Sequence, residues 1–357
     1  MTPEQVAVTA ASIASMQEAD GAVPWTGGEH VDVWNHVEAA MALDVAGETA
    51  AATAAYEWVL RNQRHDGSWP MKVVAGTVED DSAETNMSAY FAVGVWHHWL
   101  LHRDLAFVER CWPAVRRGLD FVTGMQLPFG GIAWSQEWDD HGPAMANEDA
   151  LLAGSSSIYQ SLRAGVALAG LVDEPQPEWE LSGGRLGHAL RSHRDLFLDK
   201  STFSMDWYYP VLGGAVRGAE GVALIDSRWE EFVMPGLGAR CVDTNPWVTG
   251  AETCELVMAL DALDDPRALV LFADMQHLRH ENGSYWTGSV HQDGEDSVFW
   301  PGEQTTYTAA AVVLAADALT RTSPASGIMR GDTLAPHFPA IGLECGCLEE
   351  SDVAAVR

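Results

Sequence analysis

Apolar residues recur with a helical period along most of the chain, and the alternating pattern typical of half-buried strands is almost absent. The period predicts an outer set of helices near residues 3–17, 49–63, 105–126, 184–198, 221–233 and 266–280. A loop rich in Gly, Trp and acidic residues follows each of them. An inner set then begins near residues 32–46, 84–101, 150–171, 208–218, 248–263 and 303–320. The inner set is rich in Ala, Gly, Val and Leu, which predicts helices buried on most sides.

Six helix–loop–helix pairs of irregular spacing indicate an internally repeated, all-α fold. Such pairs close into a double ring, a single (α/α)6 toroid, with the inner helices roughly parallel and the loops gathered at one mouth. We expect the toroid to span residues 1–322 and to be the catalytic domain. Residues 323–357 fall outside the repeat, and we expect them to form a tail or a lid over the cavity mouth. No linker-like stretch divides the chain into two units.

Four loops share a pattern that runs from a glutamine to a tryptophan. The clearest copy is QRHDGSW at residues 63–69, and looser copies begin at Gln17, Gln126 and Gln276. A glutamine near the end of an outer helix can donate hydrogen bonds to carbonyl groups there or in the neighbouring loop. Glycine permits a tight reversal, and tryptophan packs against the next hairpin. We therefore predict that these residues are structural.

Two resemblances to known families follow from these segments. QRHDGSW is similar to the Gln-x-x-Asp-Gly-x-Trp repeat of terpenoid cyclases and protein prenyltransferase β subunits, whose fold is an α/α toroid. The stretch Leu101–Val122 resembles the helix pair of six-hairpin glycosidases, a carbohydrate-active (α/α)6 family. Both resemblances imply a toroid. They imply different substrates, an isoprenoid in the first case and a sugar in the second.

Composition limits the partners of the protein. The 357 residues carry a formal net charge of −31, a field that repels nucleic acid and anionic lipid surfaces. No apolar run approaches the roughly 20 residues of a membrane span, and the first residues lack the pattern of a secretory signal. Five cysteines, an odd set, favour a reducing, cytoplasmic setting. We expect a small-molecule substrate, no nucleic-acid partner and no transmembrane segment.

The segment TVEDDSA, which precedes the second inner helix, supports the isoprenoid hypothesis. Class II terpene cyclases carry Asp-x-Asp-Asp-Thr-Ala at this place, and the resemblance implies that Asp80 is the Brønsted acid, with Asp81 beside it. The leading Asp of the pattern corresponds to Val78 here, so Glu79 or Glu84 would have to strengthen the acid. The alternative is a helix N-cap, in which these acids only favour the helix dipole.

The glycosidase hypothesis needs two carboxyl groups that face each other across a sugar, about 5 Å apart for retention or about 6.5–9.5 Å for inversion. Glu84, Glu252 and Glu303 are the candidates, because each opens an inner helix beside Thr or an aromatic residue. Aromatic and polar residues of the same segments are the expected substrate contacts: Trp25, Trp34, His36, Asp206, Trp207, Tyr208, Asp243, Trp247, Trp300 and Tyr307. Aromatic faces stack on sugars and also stabilise carbocations, so they fit both hypotheses.

The sequence leaves the cofactor open. Cys241, Asp243, Cys254 and His291 include the residue types that bind zinc in prenyltransferases, but their spacing does not match, so no metal ligand is assigned. The acidic runs EDD (79–81) and WDD (138–140) are of the kind that holds Mg²⁺ against a diphosphate. No Lys/Arg cluster accompanies them.

Three hypotheses for function result. We favour an isoprenoid enzyme with Asp80 as the acid. The alternative is a glycosidase, lyase or epimerase with two facing carboxylates, and the third is a non-catalytic toroid that binds a ligand. A cyclase cavity should be dry and apolar behind Asp80, whereas a sugar site should be open, polar and lined with hydrogen-bond donors.

Overall fold

The computed structural model describes residues 1–139, 141–291 and 298–339, and this part of the chain is rich in α-helix. The helices are α1 (Pro3–Met16), α2 (Val33–Val45), α3 (Thr49–Asn62), α4 (Thr85–His102), α5 (Leu105–Gly124), α6 (Leu152–Leu171), α7 (Pro177–Ser192), α8 (Ser204–Leu212), α9 (Gly218–Ser227), α10 (Trp229–Phe232), α11 (Gly250–Asp261), α12 (Arg267–Asp274) and α13 (Thr306–Thr320). Short 3₁₀ turns follow α7 and α12, at Arg194–Leu196 and Met275–Leu278. No described helix is long and apolar enough to cross a membrane.

Six of these helices form an inner layer. Helix α2 contacts α4, and the contacts continue through α6, α8, α11 and α13 back to α2, so they run in a cycle. Other helices pack outside this layer: α1 lies against α13, α3 against α2, α5 against α4, α7 against α6, α9 against α8 and α12 against α11. Nearly every residue of α4 and α13 is buried, as expected for apolar helices with neighbours on all sides.

The helix bounds agree with the periodicity except in the fourth pair. There the outer helix begins at Pro177 and not near residue 184, and the inner helix is the short Ser204–Leu212. Proline at the first helical position and two glutamates in the first turn form an ordinary helix start. Small residues at Ser182, Gly183 and Gly184 obscured the apolar period across this helix.

The loops contain short antiparallel strands that the all-α prediction did not include. The strands are β1 (Lys72–Val74), β2 (Thr77–Asp80), β3 (Ala83–Glu84), β4 (Ser135–Asp139), β5 (Gly142–Ala146), β6 (Val233–Met234), β7 (Gly238–Ala239), β8 (Trp247–Thr249), β9 (Gly288–Val290) and β10 (Val298–Phe299). They pair as β1-β2, β3-β4-β5, β6-β7 and β10-β9-β8. Strands of two to five residues are too short to show a period of two clearly.

The glutamine pattern is confirmed as structural. Gln63 lies one residue past α3 and donates from Nε2 to the carbonyl oxygens of Gly67 (2.9 Å) and Ala114 (2.8 Å), which joins its own loop to α5. Gln17 bridges its loop to α3 in the same way, and Gln126 bridges its loop to α7. Gln276 differs, because its Nε2 donates to a carbonyl of its own helical segment.

Glycine and tryptophan complete this connection. Gly67 has φ = 97° and lies directly against the carbonyl of Arg117, so a side chain there would collide with backbone. Trp69 is almost fully buried and donates from Nε1 to the Val59 carbonyl at 2.8 Å. The repeated motif therefore sets the spacing between consecutive outer helices.

The segment after α13 packs at the C-terminal ends of the inner helices. Ala325 and Ile328 share a small cleft with His97 of α4 and Leu314 of α13. Further along, the Ala335 carbonyl accepts a 2.7 Å hydrogen bond from Arg163 Nε. Residues 323–339 therefore lie at the end of the inner layer where the helices finish, and residues 340–357 lie outside the described part.

Candidate active site

A cavity of about 300 Å³ lies where the six inner helices begin, a size suited to a small ligand. It is lined by Trp25, Asp32, Trp34, Asn35, Glu84, Asn86, Met87, Leu151, Ala153, Gly154, Met205, Tyr209, Glu252 and Tyr307. Every inner helix contributes its N-cap or its first turn, with Asp32, Glu84 and Leu151 as N-caps and Met205, Glu252 and Tyr307 one to three residues further in. The cavity is therefore a product of the ring of helices and belongs to no single hairpin.

Three carboxyl groups line this cavity, and they lie on two sides of it. Asp32 precedes α2 and Glu84 precedes α4, and these two helices are neighbours. Glu252 lies in the first turn of α11, which is three steps from α4 in either direction around the cycle of contacts. Glu84 and Glu252 therefore project from opposite inner helices.

Burial favours the protonated forms of Asp32 and Glu84. Burial raises the pKa of Glu84 to about 7, and the nearby charge of Asp32 adds to the rise. The pKa of Asp32 is also raised by burial, although the Asn35 backbone N–H (2.9 Å) and the Asn35 side-chain amide (2.5 Å) both donate to its carboxylate. Trp134 donates from Nε1 to Glu84. A charge on Asp32 disfavours a charge on Glu84, so this pair holds a proton to higher pH than the same groups would in water.

Another buried carboxyl group, that of Glu255, lies beneath the cavity floor. Glu255, one helical turn after Glu252, accepts hydrogen bonds from the hydroxyl groups of Tyr209 (2.7 Å), Tyr307 (2.5 Å) and Tyr208. Burial raises the pKa of Glu255 to about 8. The hydroxyl groups of Tyr209 and Tyr307 are therefore directed below the floor, and the rings of these residues line the cavity.

Asp80 does not have the environment that the cyclase hypothesis requires. Its carboxylate accepts from the backbone N–H (2.9 Å) and hydroxyl (2.6 Å) of Ser82, which lowers its pKa. Asp81 is exposed and pairs with Arg64 at 2.9 Å. Neither residue lines the cavity. Asp80 therefore lacks the apolar surroundings that keep a carboxylic acid protonated.

Three predicted substrate contacts are buried structural groups. The ring nitrogens of His36 lie 3.0 Å from the Val23 backbone nitrogen and 2.8 Å from the Ala55 carbonyl oxygen, and burial lowers the histidine pKa to about 4. Trp207 donates to the Leu224 carbonyl at 2.9 Å. Tyr208 is committed to Glu255, as described above. None of the three lines the cavity, whereas Trp25, Trp34 and Tyr307 do.

The remaining predicted residues lie around the cavity. Glu303 lies behind Trp25 and accepts from its Nε1 at 3.0 Å. Trp247 and Trp300 make an edge-to-face contact, with ring centroids 4.8 Å apart, on the strands of the β8-β9-β10 region. Neither Asp206 nor Asp243 lines the cavity. Asp206 lines a separate cleft of about 400 Å³ and accepts from the Ala153 backbone N–H at 3.3 Å, and Asp243 pairs with Arg228 at 3.3 Å.

Several cavity residues were not selected from the sequence. Asn86, Met87 and Leu151 carry no motif, and Asp32 is not among the catalytic candidates from the sequence. Their common signal is position, because each lies within two residues of the start of an inner helix. Once the inner helices are identified, their first turns are the segments to examine for substrate contacts.

The described residues contain one group of three side chains with metal-type donor atoms within 4.8 Å of one another: Asp44, His98 and His102. The Asp44 carboxylate lies 2.7 Å from His98 Nδ1 and 3.1 Å from His102 Nε2. This group joins the C-terminal ends of α2 and α4, away from the cavity. The zinc set considered from sequence does not assemble among these residues, and Asp140 of the WDD run lies outside the described part.

Comparison with known proteins decides the family. The chain is 54% identical over 348 residues to the MMP endo-(1,4)-3-O-methyl-alpha-D-mannosidase of Mycolicibacterium hassiacum, which covers 97% of this chain and 94% of the relative. It belongs to this mannosidase family. No protein-family model matches the chain. The mannosidase family membership identifies the protein as a glycosidase-type enzyme.

Solved structures show that the chain shares its fold with several enzymes. A glycosidase in complex with glucose has a TM-score of 0.66 at 13% identity and covers 91% of this chain and 96% of its own. A D-mannose isomerase has a TM-score of 0.63 at 10% identity, with 89% and 97% covered. The endo-beta-1,4-glucanase CMCax from Acetobacter xylinum has a TM-score of 0.56 at 12% identity, with 93% and 99% covered.

These findings correct the favoured hypothesis from the sequence. The isoprenoid function, the terpenoid cyclase and prenyltransferase family and the role of Asp80 as a cyclase acid are wrong, because the mannosidase relative aligns over nearly the whole chain. The six-hairpin glycosidase resemblance at Leu101–Val122 indicated the correct class. The error arose because the QRHDGSW motif reports how helices are connected and carries no information about the substrate.

Proposed function

We propose that the chain is an endo-acting glycoside hydrolase that cleaves α-(1→4) bonds within chains of 3-O-methyl-D-mannose, on a single (α/α)6 toroid. The observation that carries the proposal is one cavity with carboxyl groups on opposite inner helices, in a chain 54% identical to an endo-mannosidase. The cyclic contacts of α2, α4, α6, α8, α11 and α13 support the toroid.

The Asp32–Glu84 side supplies the general acid. Cleavage of a glycosidic bond requires a proton on the departing oxygen, and burial and mutual repulsion keep one proton on this pair near neutral pH. The protonated member donates to the glycosidic oxygen as the C–O bond breaks. The negative charge that this leaves on the pair is stabilised by Asn35 and Trp134, which already donate to these carboxyl groups.

Glu252 acts from the opposite side of the cavity. A carboxylate there faces the anomeric carbon once a sugar fills the space, and it either attacks that carbon or takes a proton from an attacking water. The rings of Trp25, Trp34 and Tyr307 provide flat apolar faces for sugar rings. Tyr307 and Tyr209 are held in place from below by Glu255.

The test is hydrolysis of a 3-O-methylated α-(1→4)-linked manno-oligosaccharide, with product lengths measured by mass spectrometry. Internal cleavage is expected, and Glu252→Gln should lower kcat/KM by at least about 100-fold, the usual scale for an acid or base catalyst. The same measurement on Glu84→Gln and Asp32→Asn identifies the proton donor, which is the residue whose replacement lowers kcat/KM more. If Glu84 carries the proton, kcat/KM of the unmodified enzyme should fall above about pH 7.

Asp80→Asn is the matched control, because it makes the same acid-to-amide change just outside the cavity. Its kcat/KM should stay within about threefold of that of the unmodified enzyme, since Asp80 is hydrogen-bonded to Ser82 and its charge is the smallest cause of the raised pKa of Glu84. An unmodified enzyme that leaves the oligosaccharide intact would refute the proposed activity. A Glu252→Gln variant with nearly full activity would refute the proposed site.

A further inference from the structure

The cavity offers few hydrogen-bond donors for a sugar. Among the described residues, its lining has no lysine, arginine, histidine, serine or threonine. Tyr209 and Tyr307 have committed their hydroxyl groups to Glu255, and Trp25 donates its indole N–H to Glu303. The polar groups of the lining are the three carboxyl groups and the side chains of Asn35 and Asn86, so the cavity is polar there and poorer in donors than a sugar site was expected to be.

Apolar residues line the cavity along α4, α6 and α8, with Asn86 as the polar residue among them. Met87 lies in the first turn of α4, Leu151 caps α6, and Met205 lies in the first turn of α8. Ala153 and Gly154 lie between them at the start of α6. Because α4, α6 and α8 are consecutive in the cycle of contacts, these residues form one arc on the way from Glu84 to Glu252. We call Met87, Leu151 and Met205 the apolar wall.

An unmethylated hydroxyl group against these three side chains would lose its hydrogen bond to water and gain none from them, which is unfavourable. A methyl ether removes the donor and adds an apolar group that the wall shields from water. Methionine side chains are flexible and polarisable, so they adapt to a methyl group whose position changes from one sugar unit to the next.

We propose that Met87, Leu151 and Met205 bind the O-methyl groups of the substrate and select 3-O-methylated over unmethylated α-(1→4)-linked mannose. This inference rests on the proposed mannosidase function. It assigns the recognition of the methyl group to side chains that take no part in bond cleavage. The wall lies between the two sides that carry the carboxyl groups, so it contacts the sugar units on which cleavage occurs.

The experiment compares kcat/KM for a 3-O-methylated α-(1→4)-manno-oligosaccharide with kcat/KM for its unmethylated counterpart. The unmodified enzyme should prefer the methylated substrate by at least about tenfold. Met205→Gln and Leu151→Asn should each lower that ratio by about fourfold or more, since burial of one methyl-sized group is worth about 0.8 kcal/mol. The exposed Leu269 on the outer helix α12 provides the control, and Leu269→Asn should leave the ratio unchanged.

The outcomes separate the two proposals. Cleavage of both substrates at equal rates would overturn the selection by the wall and leave the mannosidase function intact. Strong preference that persists in folded Met205→Gln and Leu151→Asn variants would show that other residues read the methyl group. Cleavage of neither substrate would overturn the mannosidase function, and the role of the wall with it. Thermal melting of each variant shows that it is folded before rates are compared.

Discussion

Removing the amide of Gln63 tests whether the repeated motif holds the outer helices together. Gln63→Met keeps the length of the side chain and removes both hydrogen bonds from Nε2, to Gly67 on its own loop and to Ala114 on α5. It also removes the acceptor for Arg117, whose guanidinium lies 2.5 Å from Gln63 Oε1. The methionine is apolar and replaces none of these bonds.

The expected loss of stability follows from these contacts. At about 1 kcal/mol for each of the two amide hydrogen bonds, the variant should lose about 2 kcal/mol, with the exposed arginine contact adding little. An unfolding entropy of about 2.1 cal/mol/K per residue, taken over 357 residues, converts this loss into a decrease in Tm of about 3 °C. Differential scanning calorimetry measures that decrease, provided that unfolding is a single transition.

Gln176→Met is the matched control, because Gln176 makes one exposed hydrogen bond, to the Glu174 carbonyl at 3.0 Å. It should lower Tm by less than about 1 °C. Equal decreases in the two variants would show that the loss at Gln63 is a generic effect of the substitution. A Tm for Gln63→Met within about 0.5 °C of that of the unmodified protein would refute the structural role of the motif.

Three further predictions concern the fold and the buried charges. Gly67→Ala should lower the free energy of unfolding by at least about 2 kcal/mol more than Gly47→Ala. Both glycines have positive φ, but only Gly67 lies against the backbone of another segment. Urea unfolding measures the difference. Burial raises the pKa of Glu255 from 4.5 to about 8, so its contribution to stability is complete below about pH 4.5 and is lost as pH rises through about 8. The free energy of unfolding should therefore fall between pH 5 and pH 8, and less steeply in Glu255→Gln, when measured by urea titration at each pH. Asp44→Asn should lower the free energy of unfolding by about 3 kcal/mol in the same assay, because it removes the buried carboxylate that contacts two histidines of α4. A loss below about 1 kcal/mol would contradict this.

The helical layers could be predicted from the sequence because the signal is local. An inner helix such as α13 (Thr306–Thr320) is apolar around its whole circumference, and this is visible in the chain without knowledge of its neighbours. The Gln63–Trp69 motif was interpreted correctly for the same reason: its glutamine bonds to a carbonyl four residues away, and its glycine is needed for a turn at that point. Local hydrogen bonds and backbone angles depend on residues that are close in sequence, so a short segment is enough to predict them.

The choice among the acidic residues required the tertiary structure. Asp80 and Glu84 are four residues apart in one acidic loop, yet Asp80 is held by Ser82 outside the cavity. Glu84 instead pairs through β3 with Ser135 of β4, which brings Trp134 against its carboxyl group. The partner that decides the position of Glu84 is about 50 residues away, so no pattern in the loop distinguishes the two acids.

The sequence by itself determined that the chain forms paired helices, with the glutamine motif connecting them, because periodicity and turn chemistry act over a few residues. Only the tertiary structure decided which side chains share the cavity, because residues as distant as Asp32 and Glu252 meet only after six inner helices have packed in a cycle. The same packing directs the hydroxyl groups of Tyr209 and Tyr307 towards Glu255 and leaves an apolar wall beside the carboxyl groups. Burial and long-range contacts, which set the pKa values and the shape of the site, arise only from that packing.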